Sequence, residues 1–155
     1  MQLARFLSKF SPGIAREART ALARLRRFAP GAYELVYDNY YALVIGFAPN
    51  ERPSDAVLSL VVYPGWISVC FLQDATELTD PDRLLRGSGN VIRHVRLASA
   101  ADLDRPPIRA LVREALRRAP VRITRSTRGR VIIRLISAKQ RPRRASTDQM
   151  QPRRH

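Results

Sequence analysis

The chain of 155 residues holds one cysteine, two histidines and one tryptophan. A single thiol, Cys70, excludes an intrachain disulfide and any thiolate cluster around a metal. Its place between Val69 and Phe71 in a strand-like run reads as a small buried apolar side chain. His94 and His155 are the sole imidazoles, so no HExxH or Cys/His arrangement can be built, and no GxSxG is present. The inventory points away from an enzyme. No cofactor is predicted and no metal ligand is assigned.

Long apolar runs are also lacking. The most apolar segment, Val57 to Leu72, is interrupted by Pro64-Gly65 and carries Ser59 and Ser68, which excludes a membrane helix and suggests a hairpin instead. The N-terminal MQLARFLSKFSPG has no apolar core of secretory length, although it holds no acid before Glu17. A cytoplasmic protein without a membrane partner is expected. Acidic residues are scarce, 13 Asp and Glu against 28 Lys and Arg, for a net charge of +15. Lysine is nearly absent. Arginine in its place favours bidentate contacts with phosphate or carboxylate, while biased codon usage accounts for the same excess.

What is present suits one α+β domain over residues 1–137 with a basic tail over 138–155. Ser11-Pro12 opens a helix with serine positioned as cap. Ile14, Ala18, Ala21, Leu22, Leu25 and Phe28 make its buried stripe, and Pro30-Gly31 ends it. From Tyr33 the pattern changes to YELVYD, YALVIGFA, AVLSLVVY and WISVCFL, four strands with turn-like segments between them. In the second of these, Tyr41, Leu43, Ile45 and Phe47 share one face. Ala42, Val44, Gly46 and Ala48 share the other, small enough to admit a close-packed helix, so both faces are expected to be covered in part.

TDPDRLLRG reads as one helical turn capped by Thr79 or Asp80, and Val91 to Leu97 as a fifth strand. A second long helix begins near Pro107 with Ile108, Leu111, Val112, Ala115, Leu116 and Ala119 buried. VRITRSTRGRVIIRLIS then reads as two more strands about a TRGR turn, and Ala138 to His155 as a disordered tail. The expectation is two long helices packed against one antiparallel sheet of five to seven strands.

Three groups of residues are candidates for function. The first is GSGNVIRHVRL, where Gly87 and Gly89 could present backbone N–H groups to an anion, with Arg93, His94 and Arg96 nearby; a plain turn into a strand is the competing reading. Strand alternation sets Arg93 in an apolar row with Val91, Val95 and Leu97, where a guanidinium needs a carboxylate or a bound anion. The second group is Tyr37, Asp38, Asn39, Tyr40 and Tyr41, with Tyr63 and Trp66 flanking the Pro64-Gly65 turn, which could line a pocket at one end of the sheet, Tyr37, Asp38 and Trp66 foremost, or be ordinary sheet and turn residues. Together with Arg93 they suggest an unknown small polar or anionic ligand. The third is SAKQRPRR, whose Lys139, Arg141, Arg143 and Arg144 could hold nucleic acid non-specifically; the chain holds no interleaved aromatics there for reading bases. A solvated tail is the other reading.

The motifs YDNYYALVIGF, LLRGSGNVIRHVRL and SAKQRPRR together resemble the YdhG-like domain family of small bacterial α+β domains, best over residues 30–119. Some members of that family are described as frataxin-like iron chaperones, so the resemblance implies two helices against a sheet and raises iron as a ligand. Iron handling of that kind is associated with an acidic ridge on the first helix. This first helix instead offers Arg16, Arg19, Arg26 and Arg27 against Glu17, which repels a cation. No iron ligand is carried over.

Overall fold

The protein is described by a computed structural model covering residues 2–144. Its elements run α1 (Gln2–Ser8), α2 (Pro12–Phe28), β1 (Tyr33–Asp38), β2 (Leu43–Ala48), β3 (Leu58–Val62), β4 (Ile67–Phe71), β5 (Arg93–Leu97), α3 (Pro106–Arg118) and β6 (Val131–Ile136). Single 3-10 turns stand at Pro53–Asp55, Ala75–Glu77 and Ala100–Asp104. The class is α+β, with one six-stranded sheet of order β5-β4-β3-β2-β1-β6.

β1 to β5 form an antiparallel meander, with the short Pro64-Gly65 turn between β3 and β4 and the long segment 72–92 returning the chain from β4 to β5. The Pro64-Gly65 turn is closed by the Tyr63 N–H donating to the Trp66 carbonyl at 2.9 Å. β6 departs from the antiparallel expectation: it runs parallel to β1, so the sheet is mixed. The cause is the connection. α3 carries the chain from β5 to β6 by a strand–helix–strand crossover, which leaves those two strands pointing the same way, and the meander has already turned β1 in that direction.

The expected TRGR hairpin does not form, because residues 121–130 contain no strand. That segment is instead held by the Thr124 hydroxyl, paired with those of Ser126 and Thr127 at 2.9 and 3.1 Å. Gly129 then passes so close to Ala32 that a Cβ would collide with its carbonyl.

The helical stripes bury as their spacing dictates, Ala15, Ala18, Ala21, Leu22 and Leu25 on α2 and Ile108, Leu111, Val112 and Ala115 on α3. Two details differ. The main-chain carbonyl of Ser11, not its hydroxyl, accepts the first α2 bond, from Ala15 N–H at 2.8 Å. TDPDRLLRG forms no helical turn, since the Asp80 carboxylate accepts from the Leu84 and Leu85 N–H groups at 2.8 and 2.9 Å and closes a loop. A third helix, α1, precedes the two expected ones and buries Leu3, Phe6 and Leu7.

All three helices contribute to one core with Val36, Ile45, Phe47, Leu60, Val69 and Val95 of the sheet. The opposite face was expected to take a helix on its small residues, and it does not. Only the Pro53–Asp55 turn reaches it, bringing Ala56 to join Leu35 and Ala48 in a minor cluster. Beyond that cluster, among the described residues, the face is bare of helix.

Residues 138–144 are bound to the domain, whereas a disordered tail was expected from 138; residues 145–155 lie outside the described range. The reason is Asp38, whose carboxylate is 0% exposed at the end of β1. Arg143, itself only 4% exposed in its side chain, donates to one carboxylate oxygen at 2.8 Å, and Lys9 donates to the other at 2.9 Å. Gln140 donates to the Asp38 main-chain carbonyl at 3.0 Å, and the Arg143 guanidinium lies against the Phe10 ring, 5.5 Å from its centroid.

Leaving a buried charge unpaired costs about 3–5 kcal/mol. Arg143→Ala leaves the Asp38 carboxylate with Lys9 alone and should therefore lower the denaturant-measured unfolding free energy by no more than the low end of that range, about 3 kcal/mol, and Arg143→Lys by less. A loss below about 1 kcal/mol for the alanine variant would mean that the pair is not holding the segment down. Burial alone would push the Asp38 carboxyl up, but the donors of Gln140, Lys9 and Arg143 outweigh it and hold it below its ordinary value. Its contribution to stability is thus complete above the unfolded carboxylate range, near pH 4, and is lost as pH falls through the lower folded value. In Asp38→Asn the acid limb of the stability–pH curve should flatten.

Candidate functional site

Alternation along β4 and β5 decides what the bare face displays. Ile67, Val69, Val95 and Leu97 are buried in the core, so Trp66, Ser68, Cys70, His94 and Arg96 belong to the other side. Register then sets Ser68 beside Arg96 and Cys70 beside His94. Tyr63, across the Pro64-Gly65 turn, completes a hollow of about 250 Å³ lined by Tyr63, Trp66, Ser68, Cys70, His94 and Arg96.

Trp66 is clasped from both neighbouring strands. The Tyr63 ring stacks on it with centroids 4.6 Å apart and planes 22° from parallel, and the Arg96 guanidinium lies 4.6 Å from the indole centroid. Because β4 lies between β3 and β5, these two partners approach from opposite sides. The arrangement fixes a guanidinium against an aromatic platform, worth roughly 1 kcal/mol as a cation–π contact. Arg96 is solvent-facing and forms no ion pair among the described residues.

Ser68, Cys70 and Tyr63 add no charge to the hollow. Ser68 donates its hydroxyl to the Val95 carbonyl at 3.0 Å. Burial pushes the Cys70 thiol up, only partly opposed by its hydrogen bond with Ser59, so it stays protonated at neutral pH. Burial, with neighbouring Cys70 adding to it, also pushes the Tyr63 phenol up and keeps it a donor. Such a hollow can take a ring at the edge of the aromatic pair and an anion at Arg96. It has no activated nucleophile.

The structure divides the residues singled out from sequence. Trp66 and His94 line this hollow. Tyr37 shares the bare face but stands on β1, three strands and about 14 Å from β4. Asp38 points into the helical side and is committed to Arg143 and Lys9. Arg93 does share the apolar row with Val95 and Leu97, yet it pairs with Phe71 at the far end of β4, about 17 Å along that strand from Trp66 and on the other face. The pocket expected from Tyr37, Asp38, Trp66 and Arg93 is therefore not assembled.

The glycine loop answers its own question by geometry. Arg93 donates to the carbonyls of Gly89 and Ile92, and Gly87, at φ +123°, folds against the Arg93 side chain. The loop turns carbonyls toward the guanidinium, so Arg93 finds its partners in main-chain oxygen without a carboxylate or anion. Of the C-terminal basic residues, Lys139 and Arg141 are exposed, Arg144 donates to the Ser8 and Lys9 carbonyls, and Arg143 is turned inward where it cannot meet phosphate. Arg96 was considered only as an accessory to Arg93. Its strand position, two residues from His94, was the available signal.

Among the described residues no three His, Cys, Asp or Glu side chains converge as a metal site requires. No described helix is long and apolar enough to cross a membrane. Compared with known proteins, the chain matches no family model, no curated protein and no solved structure.

The thiol gives a direct check on this geometry. Alkylation of Cys70 by iodoacetamide should reach half its limiting rate at a higher pH in the native protein than in the same protein in denaturant. A native profile at or below the denatured one would mean that the hollow activates the thiol.

Proposed function

We propose that this is a small binding domain whose ligand carries an anionic group beside a planar ring, held on the bare face of the sheet. The carrying observation is Arg96, free of any carboxylate among the described residues and fixed beside the Tyr63–Trp66 stack. Anion recognition falls to Arg96, orientation to the aromatic pair, and His94 adds a second polar contact from the same strand. A binding module also accords with a hollow that offers a neutral thiol and a hydroxyl already spent on main chain.

Nature provides the reporter, because Trp66 is the chain's one tryptophan. Phenyl phosphate and benzoate should change its fluorescence saturably, while acetate, which has no ring, should do so far more weakly. Arg96→Gln should weaken phenyl phosphate binding by about tenfold or more, the value of one charge-assisted bond. Equal binding by wild type and Arg96→Gln, or no response to either ring compound, would overturn the proposal.

A further inference from the structure

The helical side of the molecule holds a separate concentration of positive charge. Where the C-terminal half of α2 lies near α3, a hollow of about 310 Å³ is lined by Arg24, Arg27, Phe28, Asp104, Arg109 and Arg113. The spacing explains the convergence. Arg24 and Arg27 are one turn apart on α2, and Arg109 and Arg113 one turn apart on α3, so each pair leaves its helix on one side.

Four guanidinium groups share one carboxylate. Asp104 accepts from Arg24 at 2.9 Å, while Arg27, Arg109 and Arg113 have no ion-pair partner among the described residues. Arg24 keeps a buried Nε that makes no hydrogen bond, and Arg113 lies against the Phe28 ring at 5.9 Å from its centroid. Like charges crowded about a shared hollow repel one another, and an anion in the hollow removes that cost. A single carboxylate would occupy one guanidinium fork; several unpaired forks suit a ligand with several oxygen faces and more than one negative charge.

We infer that this cleft is a phosphate site that takes two neighbouring phosphate groups, whether of a free polyphosphate or of a nucleic-acid backbone. It is separate from the ring-binding hollow, which lies on the other side of the sheet. Arg27 and Arg113 are exposed, so Arg27→Gln/Arg113→Gln removes two forks without touching the core.

The test measures, on the full chain, thermal stabilisation by sodium tripolyphosphate and anisotropy of a short labelled DNA duplex over a salt series. The double variant should lose about tenfold or more in affinity for at least one probe, and for the duplex its salt slope should fall by about one to two. Arg52→Gln, which removes an exposed arginine outside both hollows, should leave both unchanged. Loss for tripolyphosphate alone identifies a free polyphosphate as the source, and loss extending to the duplex identifies the backbone. The inference is overturned if the double variant binds both probes as wild type does, if wild type binds neither, or if Arg52→Gln abolishes binding. Arg109→Gln, tested alone, gives the same reading should the double variant fail to fold.

Discussion

Asp38 lies wholly out of water at the end of β1, and the chain brings it a cation from each of its ends, Lys9 from beside α1 and Arg143 from beyond β6. A buried carboxylate without such partners would be too costly to keep ionised. This requirement holds the C-terminal segment at the end of β1, where Ser137 N–H bonds the Asp38 carbonyl and Arg141 N–H bonds that of Tyr40. It also seats the residues after α1 near the fully buried Phe10, a ring whose burial is worth roughly 3 kcal/mol. The pair thus ties both ends of the described chain to the middle of the fold. A basic tail and a domain are not separable here, because part of the tail is the domain's counterion.

What could be read from the sequence follows from the range of each interaction. The meander was legible because period-two alternation and tight turns are local signals, as in Leu43, Ile45 and Phe47 or the Tyr63–Trp66 turn. α1 was missed although Leu3, Phe6, Leu7 and Phe10 fall at helical spacing, since a helix of 7 residues is stable only once docked. The parallel placement of β6 was hidden because VIIRLI fits a hairpin and a crossover equally well, and topology, not propensity, decides between them. The Asp38–Arg143 bond spans 105 residues of sequence, beyond any local pattern.

The site divided along the same line. Alternation correctly separated Arg93 from His94 and Arg96, but it cannot tell what lies across a strand pair. Arg93 looked like the cation in need of an anion because it sits in an apolar row, yet its own glycine loop supplies the acceptors. Arg96, on the outward side, needed no explanation and so attracted none. Only the register Ser68–Arg96, together with the turn that sets Trp66 beside Tyr63, shows that the outward arginine is the one fixed against a ring.

The two faces of the sheet then use arginine in opposite ways. On the bare face a single guanidinium is positioned by aromatic contact, which leaves its in-plane donors free and suits a ligand small enough to satisfy one fork. On the helical side several guanidiniums are brought together by helix spacing at the α2–α3 cleft and, among the described residues, only Arg24 of these finds a carboxylate, which suits a ligand of higher charge. A third use is to meet buried carboxylates, where Arg143 answers Asp38 and Arg26, itself exposed, answers Glu34 with paired 2.8 Å bonds. Lysine could serve the last role as a point charge, as Lys9 does at Asp38, but it cannot lie flat on an indole or offer a fork to phosphate. The excess of arginine over lysine is therefore compatible with codon bias and still has structural consequences, because the geometry at Trp66 and at the α2–α3 cleft draws on the planarity of the group as well as its charge.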